Sequence, residues 1–349
     1  MLFLITFALN IYRIMKRFFI FLAVAVLFAS CDDGDLAEVS FEFDDSAAQE
    51  CNATTNKFFI YKTTDQRALI LEVLEKNFTQ TLTVDTLQGA PFVIDLNNSG
   101  SQNPGQLIYR VYNDDITSST ICSSFPASYP VVTEESTALG GKISVVTTAL
   151  KSLPDANGAT KITEYLYTLN FSDISFQSQR NESLPTVTFK RTATPFEPFD
   201  TATAIQTCGD DLTFLFKNNG TQALILTLSQ ADAEFLFSTV LTTDEPKTRF
   251  LGGENVLTHN LYAKTATTPV TEAFLCDNDP PNFPTIKHSW VAENGSGENG
   301  VIEVVTSETT EGNRSHVVTL RNVKMIRGNQ NFLLKSEFVF GEFETIVVP

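Results

Sequence analysis

The string ALIL occurs twice in this chain, at residues 68–71 and again at residues 223–226. Four consecutive apolar residues with a β-branched member, followed within a few positions by polar residues, are typical of a strand that is buried on both faces. The surrounding segments are short, β-branched and aromatic, and Asn/Gly/Pro/Ser turns separate them, which is the pattern of strands and hairpins. The sequence therefore predicts a buried strand in each half of the chain.

The repetition extends well beyond this string. CSSFPASYP at residues 122–130 matches CDNDPPNFP at residues 276–284, because both contain Cys-x3-Pro-x2-[Tyr/Phe]-Pro. KISVVTT at residues 142–148 matches VIEVVTS at residues 301–307, and the offsets between matched segments stay between 151 and 159 residues. Since solenoid repeats are only about 20–50 residues long, a period of this length indicates duplicated globular domains.

The fold class predicted from these patterns is all-β, with two tandem homologous β-sandwich domains, or barrel-like domains as the alternative. The length of 349 residues and the hydrophobic content of 42% are sufficient for two cores. The predicted organisation is a signal peptide at residues 1–30, an acidic tether at 31–40, a first β domain at 41–193, a linker at 194–197 and a second β domain at 198–349.

One segment has a different pattern. LEVLEKNF at residues 71–78 is the best candidate for a helix, whereas its counterpart LTLSQADAEFLF at residues 226–237 is compatible with a strand or with one short turn of helix. The sequence therefore predicts at most a short helix after the ALIL strand.

Four of the five cysteines belong to the repeat. Cys51 occupies the same position as Cys208, and Cys122 the same position as Cys276, whereas Cys31 lies outside. Four cysteines permit three connectivities, and the duplication favours the disulfides Cys51–Cys122 and Cys208–Cys276. Metal binding is the alternative, but neither half contains a Cys-x2-Cys pair or a matching histidine. We therefore predict two disulfides and no metal site at the cysteines, and calcium at the loop with Asp277 and Asp279 is the alternative that stays open.

Three aromatic residues are candidate ligand-binding residues. Tyr129 and Phe283 have the same place in the two copies of the cysteine motif, where they either seal one end of a sandwich or stack against a ligand. Trp290, the sole tryptophan, is either a core residue or a platform for a sugar ring.

Charge and motifs exclude several classes of function. The formal charge of −17 comes without a basic block after residue 17, so a nucleic-acid partner is not expected. No nucleophile elbow, phosphate-binding glycine loop or zinc-protease motif occurs, no cofactor is indicated, and all three histidines lie in the second half. These features predict a non-enzymatic protein for binding, adhesion or envelope structure. The alternative is a secreted, surface-anchored hydrolase acting on polysaccharide, because the chain has many carboxylates that could form a glycosidase pair.

The beginning of the chain is a targeting segment. MKRFFIFLAVAVLFASC at residues 15–31 has a basic start, an apolar run at residues 18–28 and small residues before a cysteine, which is the layout of a secretory signal with Met15 as an alternative start. The apolar run is shorter than the roughly 20 residues that a membrane-spanning helix needs. LFASC resembles the lipobox of bacterial lipoproteins, so Cys31 is the predicted lipidation site.

The acidic sequence CDDGD at residues 31–35 resembles the export signal of Bacteroidota lipoproteins. Together with the duplicated cysteine domain, it makes the chain similar to surface lipoproteins of flavobacterium-like Bacteroidota. This resemblance supplies no catalytic or binding residue. It implies an outer-membrane protein, lipid-anchored and facing the extracellular side, with the membrane and a glycan or protein ligand as partners.

Overall fold

A computed structural model describes residues 43, 47–51, 57–74, 78, 92–123, 128–176, 184, 186–197, 199, 204–242, 245–263, 269–277, 279–328 and 330–347. The predicted signal peptide, Cys31 and the acidic tether lie outside these residues. The chain divides after Glu42, and all described residues belong to the compact unit that follows, Phe43–Pro349. The boundary between two domains at residues 194–197 stays a prediction.

The first half of the described chain consists of eight strands and one short helix, which follow the predicted strand pattern. They are β1 (Gln49–Cys51), β2 (Lys57–Thr64), β3 (Arg67–Leu74), β4 (Phe92–Leu96), β5 (Pro104–Tyr112), α1 (Ser118–Cys122), β6 (Val132–Lys151), β7 (Ile162–Phe176) and β8 (Val187–Thr192).

The described part of the second half contains eleven strands and two short helices. They are β9 (Gln206–Cys208), β10 (Asp211–Asn218), β11 (Gln222–Thr227), α2 (Gln230–Leu236), β12 (Lys247–Phe250), β13 (Val256–Tyr262), α3 (Glu272–Leu275), β14 (Ile286–Ala292), β15 (Val301–Glu308), β16 (Arg314–Arg321), β17 (Lys324–Arg327), β18 (Gln330–Leu333) and β19 (Glu337–Thr345). The all-β class is therefore confirmed.

The strands form three sheets. The first half is one eight-stranded sheet in the order β1-β2-β3-β5-β4-β6-β7-β8, and an additional pairing of β5 with β6 makes it nearly closed, like a barrel. The second half has a seven-stranded sheet, β18-β17-β14-β13-β11-β10-β9, and a four-stranded sheet, β12-β15-β16-β19. The barrel-like alternative thus describes the first half, and the second half has two separate sheets.

The difference between the halves comes from one long strand. β6 is 20 residues long; near its start Thr137 lies opposite Ile108 of β5, and further on Val145 lies opposite Phe92 of β4. In the second half, two separate strands make the corresponding pairings: β14 pairs with β13, and β15 pairs with β12. The glycine-rich turn at residues 293–300 separates β14 from β15, and this break divides the second half into two sheets.

At two adjacent glycines in the middle of β6, the register against β7 shifts, and a β-bulge of this kind bends the strand that contains it. Gly141 has a φ of 130°, and a Cβ placed on it would lie 2.6 Å from Ile174 Cδ1 and 3.0 Å from Asp173 O. Gly140 has nothing within 4 Å of the equivalent Cβ position.

We expect Gly141→Ala to lower the free energy of unfolding by about 2 kcal/mol, because the new side chain meets both a forbidden backbone region and a steric contact. Gly140→Ala is the matched control and should change stability by less than about 0.5 kcal/mol. Urea unfolding of both variants measures this difference, and equal stabilities would contradict the described bend.

The two ALIL strands are buried on both faces, as predicted. In β3, Ala68 and Ile70 pack with Cys51 and Ile121, on the side of the sheet where α1 lies. Leu69 and Leu71 face the interior instead, where Leu169 of β7 lies. A strand covered by a helix on one face and by other strands on the other needs apolar residues at every position.

The second copy repeats this arrangement. Ala223 and Ile225 of β11 belong to a cluster with Phe216 and Tyr262, against which Leu275 of α3 packs. Each half therefore has a short helix over the outer face of its central strand.

The prediction of a helix at residues 71–78 is wrong for its first four residues. Leu71–Leu74 continue β3, where Val73 lies opposite Phe58 of β2 and Gly105 of β5. Pairing on both sides outweighs the local helical pattern, because propensity is a weak determinant beside tertiary contacts. In the second half the helix does occur, as α2, and Ser229 caps it by accepting a hydrogen bond from Asp232 N at 3.2 Å.

Candidate functional site

Both predicted disulfides are present. Cys51 is bonded to Cys122 and Cys208 to Cys276, and they close loops with sequence separations of 71 and 68 residues. Cys122 ends α1, and Cys276 directly follows α3. Each bond therefore ties the covering helix to the first strand of its half.

The two motif aromatics do not seal the interior. Tyr129 is 61% exposed and Phe283 is 38% exposed, so the prediction that they close the end of a sandwich is wrong. Each precedes a proline through a cis peptide bond. The Tyr129 hydroxyl donates a hydrogen bond to Asp114, which lowers the pKa of that carboxyl. Ligand contact by Tyr129 and Phe283 stays a prediction.

Trp290 lies in the core. It is 4% exposed on β14, and its ring meets Phe332 edge-on at 5.2 Å between centroids. The Arg327 guanidinium lies 6.0 Å from the indole centroid. A tryptophan that stacks on a sugar needs an open ring face, and Trp290 lacks one. Trp290 is therefore a core residue, and the prediction that it binds a sugar is corrected.

The predicted linker packs against the second half through Phe196. The ring of Phe196 lies 4.8 Å from that of His259 and 5.6 Å from that of Phe332. Gln222 holds the adjacent backbone, because its Nε2 donates to Pro195 O at 3.1 Å and its Oε1 accepts from Glu197 N at 3.2 Å. The linker is therefore docked on the seven-stranded sheet.

A network around Gln222 also fixes His259. Gln222 Oε1 lies 2.8 Å from His259 Nε2. Since the Gln222 amide group donates to Pro195, its oxygen must accept, so Nε2 of His259 carries the proton. His259 Nδ1 has no hydrogen-bond partner in the described structure and carries no proton, and the imidazole ring lies beside the rings of Phe196 and Phe332.

A cavity of about 320 Å³ lies where the two halves meet the linker. This volume is at the lower end of the range for small-molecule sites, roughly 300–1,000 Å³. The first half supplies residues from the loop between β6 and β7 to this cavity, and they are Ser152, Leu153, Asp155, Ala159, Thr160 and Lys161.

The other wall comes from the linker and from the end of the second half. Its residues are Phe196, Leu333, Leu334, Lys335 and Phe338. We call this space the junction cavity.

Hydrogen bonds between the halves hold the junction cavity in shape. Thr160 N donates to Leu333 O at 2.9 Å, and Leu333 N donates to Thr160 Oγ1 at 2.8 Å. Ser336 N donates to Asn157 O at 3.1 Å. Outside the cavity, Lys151 Nζ donates to Asn331 Oδ1 at 2.9 Å. A backbone amide donates each of the three bonds at the cavity, so its shape does not depend on pairs of side chains alone.

All three histidines are buried, and the structure does not bring them together as a catalytic group. Burial, and secondarily the charge of His288, lowers the pKa of His259 to about 3. Burial, followed by the charges of Arg327 and Lys287, lowers the pKa of His288 to about 4. His316, buried between Thr306 and Thr345 hydroxyls at 3.0 and 2.9 Å, also has its pKa lowered by burial to about 4.

These pKa shifts predict loss of stability in mild acid. The three histidines are neutral in the fold but protonate near pH 6.5 in the unfolded chain, so their stabilising effect is complete above pH 6.5 and decreases as the pH falls towards 4. We expect the free energy of unfolding at pH 5 to be lower than at pH 7.5 by about 2 kcal/mol for each histidine, because the pH falls about 1.5 units below the unfolded pKa while the folded pKa is not reached. Asp232 also has a lowered pKa, and its contribution to stability is lost only at pH values below this range.

Urea unfolding at pH 7.5, 6 and 5 measures the effect. His316→Gln should reduce the difference between pH 7.5 and pH 5, because it removes one titrating group while an amide can still bond the threonine hydroxyls. Stability that stays constant or rises between pH 7.5 and 5 in the parent chain would contradict neutral buried histidines.

Sequence reasoning missed the junction cavity. Phe196 stood in a segment identified only as a linker, yet this phenylalanine was itself a signal, because linkers that do not pack are polar. Lys62 and Lys217, buried at equivalent positions of β2 and β10, were also missed. No motif marked either lysine.

Within the described ranges, no three residues among His, Cys, Asp and Glu cluster as metal ligands. In the same part of the chain, no helix is both long and apolar enough to cross a bilayer. No family model, curated protein or solved structure matches the chain.

Proposed function

We propose that this protein is a non-enzymatic, lipid-anchored binding protein of the outer membrane, displayed on the extracellular side, and that it holds a small ligand in the junction cavity. The observation that carries the binding function is the cavity itself, about 320 Å³ and lined by both halves and the linker. Its lining is mostly apolar, which is typical of small-molecule sites. Adhesion or envelope structure, and a larger glycan or protein partner, are the other roles that the sequence allows.

The lipid anchor rests on the sequence. The lipobox-like LFASC and the acidic residues after Cys31 support acylation and surface display, and several acyl chains would anchor the chain firmly. Labelling with a radioactive or clickable fatty acid tests this directly. We expect label in the parent chain and none in Cys31→Ala, and label that persists in the variant would contradict the anchor.

The binding function is tested by a thermal-shift screen of the full chain against small apolar compounds. Leu153 is 88% exposed at the edge of the junction cavity, so Leu153→Ser removes apolar contact without disturbing the core. Compounds that raise the unfolding temperature should bind this variant about tenfold more weakly, since burying a leucine contributes roughly 1.5–3 kcal/mol.

Leu139→Ser is the matched control, because Leu139 is also an exposed leucine, 55% exposed, but does not line the cavity. A screen without a stabilising compound, or hits that are equally weakened by both variants, would contradict binding in the junction cavity.

Turnover of a polysaccharide distinguishes the hydrolase alternative from a binding protein. A polysaccharide hydrolase acting at the surface would release reducing ends, and neutralising its acidic pair would abolish the release. A binding protein should retain its ligand and release no sugar.

A further inference from the structure

The charges at the junction cavity are unusual for this chain. The cavity is lined by two lysines, Lys161 and Lys335, and by one aspartate, Asp155. The protein as a whole carries a formal charge of −17. Local charge at the cavity is therefore net positive on an otherwise acidic protein, which attracts an anion and not a cation.

Both lysines are available to a ligand. Each is exposed, and neither forms an ion pair with another described residue. Asp155 is occupied with its own turn, because its Oδ1 accepts hydrogen bonds from Asn157 N at 2.8 Å and Ala159 N at 3.0 Å. The lysines can thus offer charge-assisted hydrogen bonds at the edge of the cavity.

The remainder of the lining is apolar or already bonded. Phe196, Leu333, Leu334 and Phe338 supply the apolar wall, whereas the Thr160 amide and hydroxyl bond to Leu333 across the junction. A ligand group placed against this wall must be apolar, because a polar group there would lose its water without gaining a partner.

We propose that the junction cavity binds an amphiphilic anion, a carboxylate whose apolar body is one aromatic ring or a medium-length acyl chain. The apolar body lies against Phe196 and Phe338, and the carboxylate lies at the edge between Lys161 and Lys335. The cavity volume of about 320 Å³ limits the occupant to one such body. This inference rests on the proposed binding function and names its ligand class.

The test compares octanoate with octan-1-ol, which has the same chain length but no charge. Calorimetric titration of the full chain at about 0.1 M salt should give a dissociation constant for octanoate at least about tenfold lower than for octanol, since hydrogen bonds to charged groups contribute roughly 1.5–3 kcal/mol. In the double variant Lys161→Gln with Lys335→Gln, affinity for octanoate should fall to that for octanol, and octanol binding should not change.

Lys142→Gln with Lys287→Gln is the matched control. It removes the same charge from two exposed lysines that do not line the cavity, so it controls for the change in overall charge. Its octanoate affinity should stay within about twofold of the parent, because exposed charges beyond a Debye length of about 10 Å are screened.

The outcomes distinguish the ligand class from the binding function. Equal affinity for octanoate and octanol, with both weakened in Leu153→Ser, would overturn the anion proposal and leave binding in the cavity intact. Equal loss of octanoate affinity in both lysine pairs would also overturn it, because the effect would then be general charge. Absence of binding for both compounds, together with an empty thermal-shift screen, would overturn the proposed function as well.

Discussion

Replacement of Cys208 and Cys276 by alanine is expected to lower the free energy of unfolding by about 4 kcal/mol, because the bond closes a loop with a separation of 68 residues and restricts the unfolded chain. Loss of the packing of α3 would lower the free energy of unfolding further. Cys276 follows α3, and the bond holds this helix over Ala223 and Ile225. Without the bond, the four-residue helix has little of its own to hold it in place, since isolated helices of this length are unstable.

Denaturant unfolding under non-reducing conditions measures this loss. The double replacement of Cys51 and Cys122 should cost a similar amount, because its separation of 71 residues is nearly the same. Cys31→Ala is the matched control, since it removes a cysteine that lies outside the repeat. A loss below about 1 kcal/mol in either double variant would contradict the disulfides as major stabilising elements.

Leu224→Ala is expected to cost about 3–4 kcal/mol, because removing a buried leucine loses its transfer free energy and leaves a cavity that the neighbours fill only partly. Leu224 is 0% exposed in the middle of β11, where it lies opposite Lys217 of β10 and His259 of β13. A residue between two paired strands has little freedom to relax into the space.

Val305→Ala on β15 provides the comparison, because Val305 is 41% exposed and should cost less than about 1 kcal/mol. Chemical denaturation of the two variants measures the difference in their free energies of unfolding. A Leu224→Ala variant as stable as Val305→Ala would contradict the burial of the ALIL strand.

Much of the architecture was accessible from the sequence because the chain repeats its own pattern. The two ALIL strings predicted a strand buried on both faces. A short helix covers each strand, α1 over β3 and α3 over β11, which explains why neither ALIL string contains a polar residue. The repeat also selected one of three cysteine connectivities. Matching two copies supplied the long-range information that a single segment lacks.

The arrangement of sheets was not accessible in the same way. KISVVTT and VIEVVTS are nearly identical as strands, yet the first lies within the long β6 and the second is a separate strand. The cause is the segment before each of them. Gly140 and Gly141 allow β6 to bend and continue, whereas residues 293–300 form a turn that ends β14.

The junction cavity was inaccessible for a further reason. Leu153, Thr160 and Phe196 are unremarkable residues in loops and a linker, and they form a wall only when the loop between β6 and β7 pairs with Leu333 and Ser336. Contacts between the halves have no counterpart in the repeat, because each copy alone lacks the partner. Comparison of the two copies therefore identified the core residues but could not identify the junction cavity.

The most direct test of the account is to fill the junction cavity. Ala159 lines it, and its backbone is held by Asp155, so Ala159→Phe places a ring in the space without changing the turn. We predict that titration with octanoate detects binding to the parent chain and none to Ala159→Phe, while the unfolding temperature of the variant is at least that of the parent. Octanoate binding of equal affinity to both proteins would contradict a ligand site at the junction of the two halves.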